Sequence, residues 1–115
     1  MSVRRIEPGP RMSRAVVHGD TVYLAGQTPR DASQDVAGQT RQILEQIDAL
    51  LERAGSGHEK ILSVVIWLRD IAQFEAMNAV WDAWVSKENP PARACVESRL
   101  AKPEWLVEMH VIAAL

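Results

Sequence analysis

The residues best suited to chemistry lie near the end of this sequence. Pro91-Ala92-Arg93-Ala94-Cys95-Val96-Glu97 opens one strand-like run, and Leu106-Val107-Glu108-Met109-His110-Val111-Ile112 forms another. Alternate side chains of an extended chain share a face, so Arg93, Cys95 and Glu97 go together, as do Glu108 and His110. If the Arg93 face is covered by a partner subunit, its guanidinium is partly buried and calls for a planar anion. A carboxylate fits that fork bidentately. The carboxylate can belong to a ligand, or to Glu97 or Glu108 in a structural ion pair, and spacing alone leaves both open. Glu108 stands inside an apolar strand, where desolvation raises a carboxyl pKa and suits it to carry protons. An ion pair is again the alternative, and for His110 the alternative is a hydrogen-bonded structural role. Cys95 can be a nucleophile or an inert small hydrophobe, and no Cys/His/Asp ordering around it suggests a relay. Asn78 falls within a helical pattern, where it caps, lines a site or faces solvent.

Other signatures are missing. His18, His58 and His110 are scattered without metal-ligand spacing. Gly26 belongs to no phosphate-binding pattern and reads as a turn or close-packing glycine. No cofactor and no metal are expected.

The elements that must hold these residues follow from periodicity. Ala15–Val17 and Thr21–Ala25 are short strands about a tight turn at His18-Gly19-Asp20, after a polar lead-in with a short extended piece at Val3–Ile6. Asp35–Ala54 is a helix. Ile43, Leu44, Ile47, Leu50, Leu51 and Ala54 recur on its period and Gly55 stops it. Lys60–Arg69 is a strand apolar on both parities, with Ile61, Val65 and Trp67 on one face and Leu62, Val64, Ile66 and Leu68 on the other. Such a strand needs cover on both faces. Two helices can cover one, so the other is expected to meet another subunit. Asp70 caps a second helical stretch, whose stripe Phe74, Met77, Val80, Trp81, Trp84 and Val85 reads as core. Pro90-Pro91 ends it. Ala92–Ser98 and Leu106–Ala114 then make a C-terminal hairpin. The order ββ-α-β-α-ββ predicts an α+β fold, a mixed sheet with both helices on one side.

The chain has 115 residues, 47% of them apolar and 24% charged, and a formal net charge of −2. That suits a single domain able to bury a core. Without a basic stripe, nucleic acid is not the favoured partner, and an RNA-directed role is disfavoured. The single Cys excludes an internal disulfide and fits a reducing compartment. No apolar run is long enough to span a membrane, and the N-terminus lacks a secretory signal's apolar segment. A cytoplasmic location is expected.

The sequence resembles the RidA/YjgF reactive-intermediate deaminases. The likeness lies in GDTVYLAGQTP at 19–29, the long helix with QT at 39–40 and AG at 54–55, VVIWLRDIAQFEAMNAVWDAW at 64–84, PARACVE at 91–97 and VEMHVIAA at 107–114. It covers the chain from about residue 13 onward, and the order and spacing of the segments make it specific. It implies a single RidA-like domain, residues 1–115, with a chorismate-mutase-like fold and a six-stranded mixed sheet. It implies a homotrimer with a central barrel and sites between subunits. It also implies hydrolysis of enamines and imines derived from amino acids to 2-oxo acids and ammonia, without cofactor. On the resemblance, Arg93 holds the substrate carboxylate, Cys95 lines the site, Glu108 positions or activates water, and Asn78 is a polar site residue. Three positions depart from the family pattern. Met12 stands at or near a usual Tyr, Arg14 replaces Gln, and Ala25 replaces a Ser that would donate a hydrogen bond. Met12 and Ala25 are therefore expected at the substrate. A second reading keeps the cleft without the reaction, as a regulatory site for small carboxylate metabolites.

Overall fold

The computed structural model describes residues 1–115. Its strands are β1 (Val3–Pro8), β2 (Ser13–His18), β3 (Thr21–Leu24), β4 (Ile61–Leu68), β5 (Ala92–Glu97) and β6 (Val107–Ala114), and its helices are α1 (Val36–Ala54) and α2 (Phe74–Trp84). One six-stranded sheet has the order β1-β2-β3-β6-β4-β5. All neighbours are antiparallel except β4 and β5, which run parallel.

Local chemistry explains the helix ends. The Asp35 side chain accepts a hydrogen bond from the Gly38 amide and caps α1. Gly55 ends it at φ 91°, where an L side chain would be strained, while the Ser56 amide reaches back to the Leu51 carbonyl. Asp70 caps a single 3-10 turn through the Ala72 amide, and α2 continues from it. The two helices pack on each other and on one sheet face.

That face is the core. Ala15, Val17, Val22, Leu24, Val64, Ile66, Leu68, Val107, Met109, Val111 and Ala113 point into it beneath Ile43, Ile47, Leu51, Met77 and Trp81, all buried. The intervening residues Ser63, Val65, Trp67, Glu108, His110 and Ile112 are only half-buried, and Tyr23 and Val96 are exposed. The sheet thus presents a mixed apolar and polar second face with no element of this chain over it.

Three expectations need correction. The C-terminal strands form no hairpin, because β4 lies between β5 and β6. A long loop lets the chain cross over, and the parallel partner of β4 is the strand that follows α2. The lead-in contains a full strand, β1, paired to β2 from Val3 to Pro8 and tied to the end of α1 by Arg4 Nη2 donating to the Ala54 carbonyl. The alternation in β4 slips at its start. A register shift between Ile61 and Ser63 turns Ile61 into the core and leaves Leu62 52% exposed.

A buried amide holds the loops to the core. Gln39, fully buried on α1, donates through Nε2 to the carbonyls of Ala32, Gln34 and Glu104 and accepts from the Leu106 amide at 2.8 Å. It thereby anchors the chain just before β6. Gln39→Ala leaves those backbone groups unpaired in the interior, so a loss of roughly 3 kcal/mol is expected. Urea unfolding of the variant checks it.

Candidate functional site

The site residues fall into two groups on opposite faces of the sheet. Strand register explains this. Val64, Ile66 and Leu68 point to the core, and their β5 partners are Arg93, Cys95 and Glu97. The β5 trio therefore faces the helix side, at the sheet's edge. Trp67 and Val65 point the other way, and their β6 partners are Glu108 and His110. Arg93 and Glu108 lie neither on adjacent strands nor on one face, and no ion pair joins them. The face carrying Arg93 is the helix side of the sheet, not the side left open for a partner.

In the first group, Arg93 Nη1 donates to Asn78 Oδ1 at 2.8 Å across the gap from β5 to α2. Its guanidinium carbon lies 5.1 Å from the Trp81 ring centroid and 5.7 Å from that of Phe74. These contacts orient the guanidinium by cation–π attraction while leaving its other donors unused. Glu97 does not pair with it and instead accepts from the Ile71 amide. Cys95 is half-buried on the same face. Burial pushes its thiol above the ordinary value and the nearby Arg93 charge pulls it partly back, which favours the inert thiol over a nucleophile.

In the second group, Glu108 packs against Gly26 so closely that a Cβ there would stand 2.3 Å from Oε2. A side chain at residue 26 would push the Glu108 carboxylate out of this position. Burial raises the Glu108 carboxyl above its ordinary value, and His110 on the same face partly offsets that. Glu108 also lines a shallow pocket of about 150 Å³ with Trp67, Ser98 and Arg99. Met12, 61% exposed, shares a separate cavity of about 190 Å³ with Arg14 and Gly26. Ala25 directly follows β3 and is half-buried. Its carbonyl accepts from Gln27 Nε2, and its amide donates to the Arg14 carbonyl. The backbone of Gln27 pairs with Met109 in both directions, which fixes Gly26 beside Glu108. Gln27 is a residue the pattern reading missed. Nothing in a polar Gln after a Gly signals that it will be 2% exposed. No group of His, Cys, Asp or Glu side chains is arranged to hold a metal ion.

A family model described as endoribonuclease L-PSP matches residues 3–115. The chain belongs to the YjgF/RidA family. The RutC family protein YoaB of Escherichia coli is 40% identical over 115 residues, covering 100% of each chain. A YjgF-family structure from Neisseria meningitidis superposes with a TM-score of 0.97 at 44% identity, over 99% of this chain and 95% of that one. The Rid-family protein YyfA from Yersinia pestis superposes at 0.90 with 29% identity, over 99% and 100%. The two helices and six-stranded mixed sheet are thus the family's fold.

The raised Glu108 value has a consequence for stability. A carboxyl whose folded pKa exceeds its unfolded one holds extra protons when folded, so its contribution is present at low pH and lost as pH rises through the folded value. Glu108→Gln removes that loss. Its melting temperature is expected to exceed the parent's at neutral pH, with the difference vanishing below about pH 4.3. Thermal scans across pH check the sign.

Proposed function

We propose that this protein hydrolyses reactive 2-imino acids and their enamine tautomers to 2-oxo acids and ammonia, in the cytoplasm and without a cofactor, at a site completed between subunits of a homotrimer. The observation that carries the reading is the oriented guanidinium of Arg93, held by Asn78, Trp81 and Phe74 with no carboxylate of its own chain upon it. Family membership supports it, as does the raised proton affinity of Glu108. The separation of the two groups on opposite faces favours a site to which one subunit brings Arg93 and its neighbour brings Glu108. The half-buried apolar residues of the open face are the surface such a neighbour covers.

In this mechanism Arg93 receives the substrate carboxylate through two charge-assisted hydrogen bonds. An enamine first takes a proton on carbon and gives one up from nitrogen, becoming the imine. Glu108 then accepts a proton from water as the oxygen bonds to the imine carbon, and passes it to the nitrogen. The resulting carbinolamine collapses. Its hydroxyl proton leaves by way of Glu108 to the nitrogen, the C–N bond breaks, and ammonia departs from the new carbonyl. Imine and water give oxo acid and ammonia, with no proton left over. A carboxyl with a raised pKa suits both directions of transfer.

The substitution of Ala25 and Met12 at positions expected near the substrate favours a second reading, in which the cleft binds small carboxylates for regulation and does not turn them over. The family model's description names an endoribonuclease, but a net charge of −2 without a basic track gives a phosphate backbone little to follow.

The test is release of 2-oxo acid from freshly generated 2-iminobutyrate. Arg93→Ala is expected to lower kcat/KM by about a hundredfold or more, and Glu108→Gln to lower kcat by about 10²–10⁴. No acceleration over buffer contradicts the hydrolase, and stabilisation by 2-oxo acids without turnover supports the regulatory reading.

A further inference from the structure

The cavity beside Glu108 carries a cation that the mechanism above does not use. Arg14 lies on β2, and with Met12, Gly26, Thr28, Arg30 and Gln46 it lines the 190 Å³ cavity. A larger cleft of about 410 Å³ shares Arg14, Arg30 and Gln46, so the two are continuous at these side chains. The smaller cavity reaches the carboxylate proposed to react, because Gly26 in its lining is in direct contact with Glu108.

The charges around this cavity do not cancel. Arg53 pairs with Glu7, and Arg30 lies 3.9 Å from Glu45. These are the two carboxylates in the lining of the larger cleft. Arg14 has neither. Its only side-chain hydrogen bond is from Nη2 to Gln27 Oε1 at 3.3 Å, an acceptor it shares with Gln46 Nε2. One half-buried guanidinium is thus left over, steered by a neutral amide and with most of its donors unused. Beside it, the buried Oε1 of Gln46 has no hydrogen-bond partner. A buried acceptor left unpaired is costly and marks a place where a ligand or its water supplies a donor.

Resting on the hydrolase reading of this site, we propose that Arg14 is a specificity-determining residue that receives a second, distal carboxylate of the substrate, so that the preferred substrates are 2-imino dicarboxylic acids. Arg93 holds the carboxylate attached to the imine carbon. The imine carbon faces Glu108, and the remainder of the substrate extends past Gly26 toward Arg14. The imines concerned descend from amino acids, whose anionic side chains are carboxylates, and the guanidinium fork matches that group.

The intact protein is assayed on imines made by an amino-acid oxidase from glutamate and from 2-aminobutyrate, and its affinity is measured by calorimetry for 2-oxoglutarate and 2-oxobutyrate. The expected result is a preference of about tenfold for the dicarboxylic member of each pair, which collapses in Arg14→Gln and is partly kept in Arg14→Lys. Equal use of both imines, preference for the monocarboxylic one, or an equal effect of Arg14→Gln on both overturns the assignment. If neither imine is hydrolysed but 2-oxoglutarate binds in preference and Arg14→Gln abolishes that preference, the hydrolase reading fails while the role of Arg14 stands. Absence of preferential binding as well overturns both.

Discussion

The placement of β4 between β5 and β6 is the constraint on which the rest of the structure depends. Because β5 joins β4 in parallel, its register puts Arg93 opposite the core residue Val64. Because β6 joins β4 antiparallel on the other side, its register puts Glu108 opposite Trp67, on the reverse face. Side chains alternate with a period of two, so Glu108 cannot change faces without moving Val107, Met109, Val111 and Ala113 out of the core. Arg93 has no buried neighbour on its own strand, and its face is set by the pairing of β5 with the core strand β4 and by its contacts to α2.

Each group is then held by local contacts. On the helix side, α2 presents Asn78 to accept from Arg93 and the faces of Phe74 and Trp81 to flank it. The hydrophobic stripe that seats α2 thus also orients the cation. On the open side, the reciprocal backbone pairing of Gln27 with Met109 brings Gly26 against Glu108 and desolvates the carboxyl. Gln39 performs a similar task for the loop that delivers β6.

Much of this was legible in the sequence, for identifiable reasons. The period of α1, the Asp35 cap and Gly55 are local signals, and the helix forms within a residue of where they place it. The apolar character of β4 on both parities told that a second face needs cover. The pairing of Arg93 with Cys95 and of Glu108 with His110 followed from strand alternation alone. What failed required knowledge of partners distant in sequence. A hairpin between β5 and β6 is the simplest connection, and nothing in residues 89–114 says that β4 will intervene. The bulge that turns Ile61 inward depends on β6, and the burial of Gln27 and Gln39 depends on backbone groups that only the fold brings near. That Arg14 shares a cavity with Gly26, the residue in contact with Glu108, was invisible for the same reason.

The central claim is that one functional site draws on two chains, and subunit complementation tests it most directly. Arg93→Ala and Glu108→Ala chains, each inactive alone, are unfolded together, refolded as mixed oligomers and assayed for imine hydrolysis. If a site takes Arg93 from one subunit and Glu108 from the next, the mixture regains about a quarter of the parent activity, since random assembly makes that share of interfaces intact. Mixed oligomers that remain as inactive as either variant contradict the account.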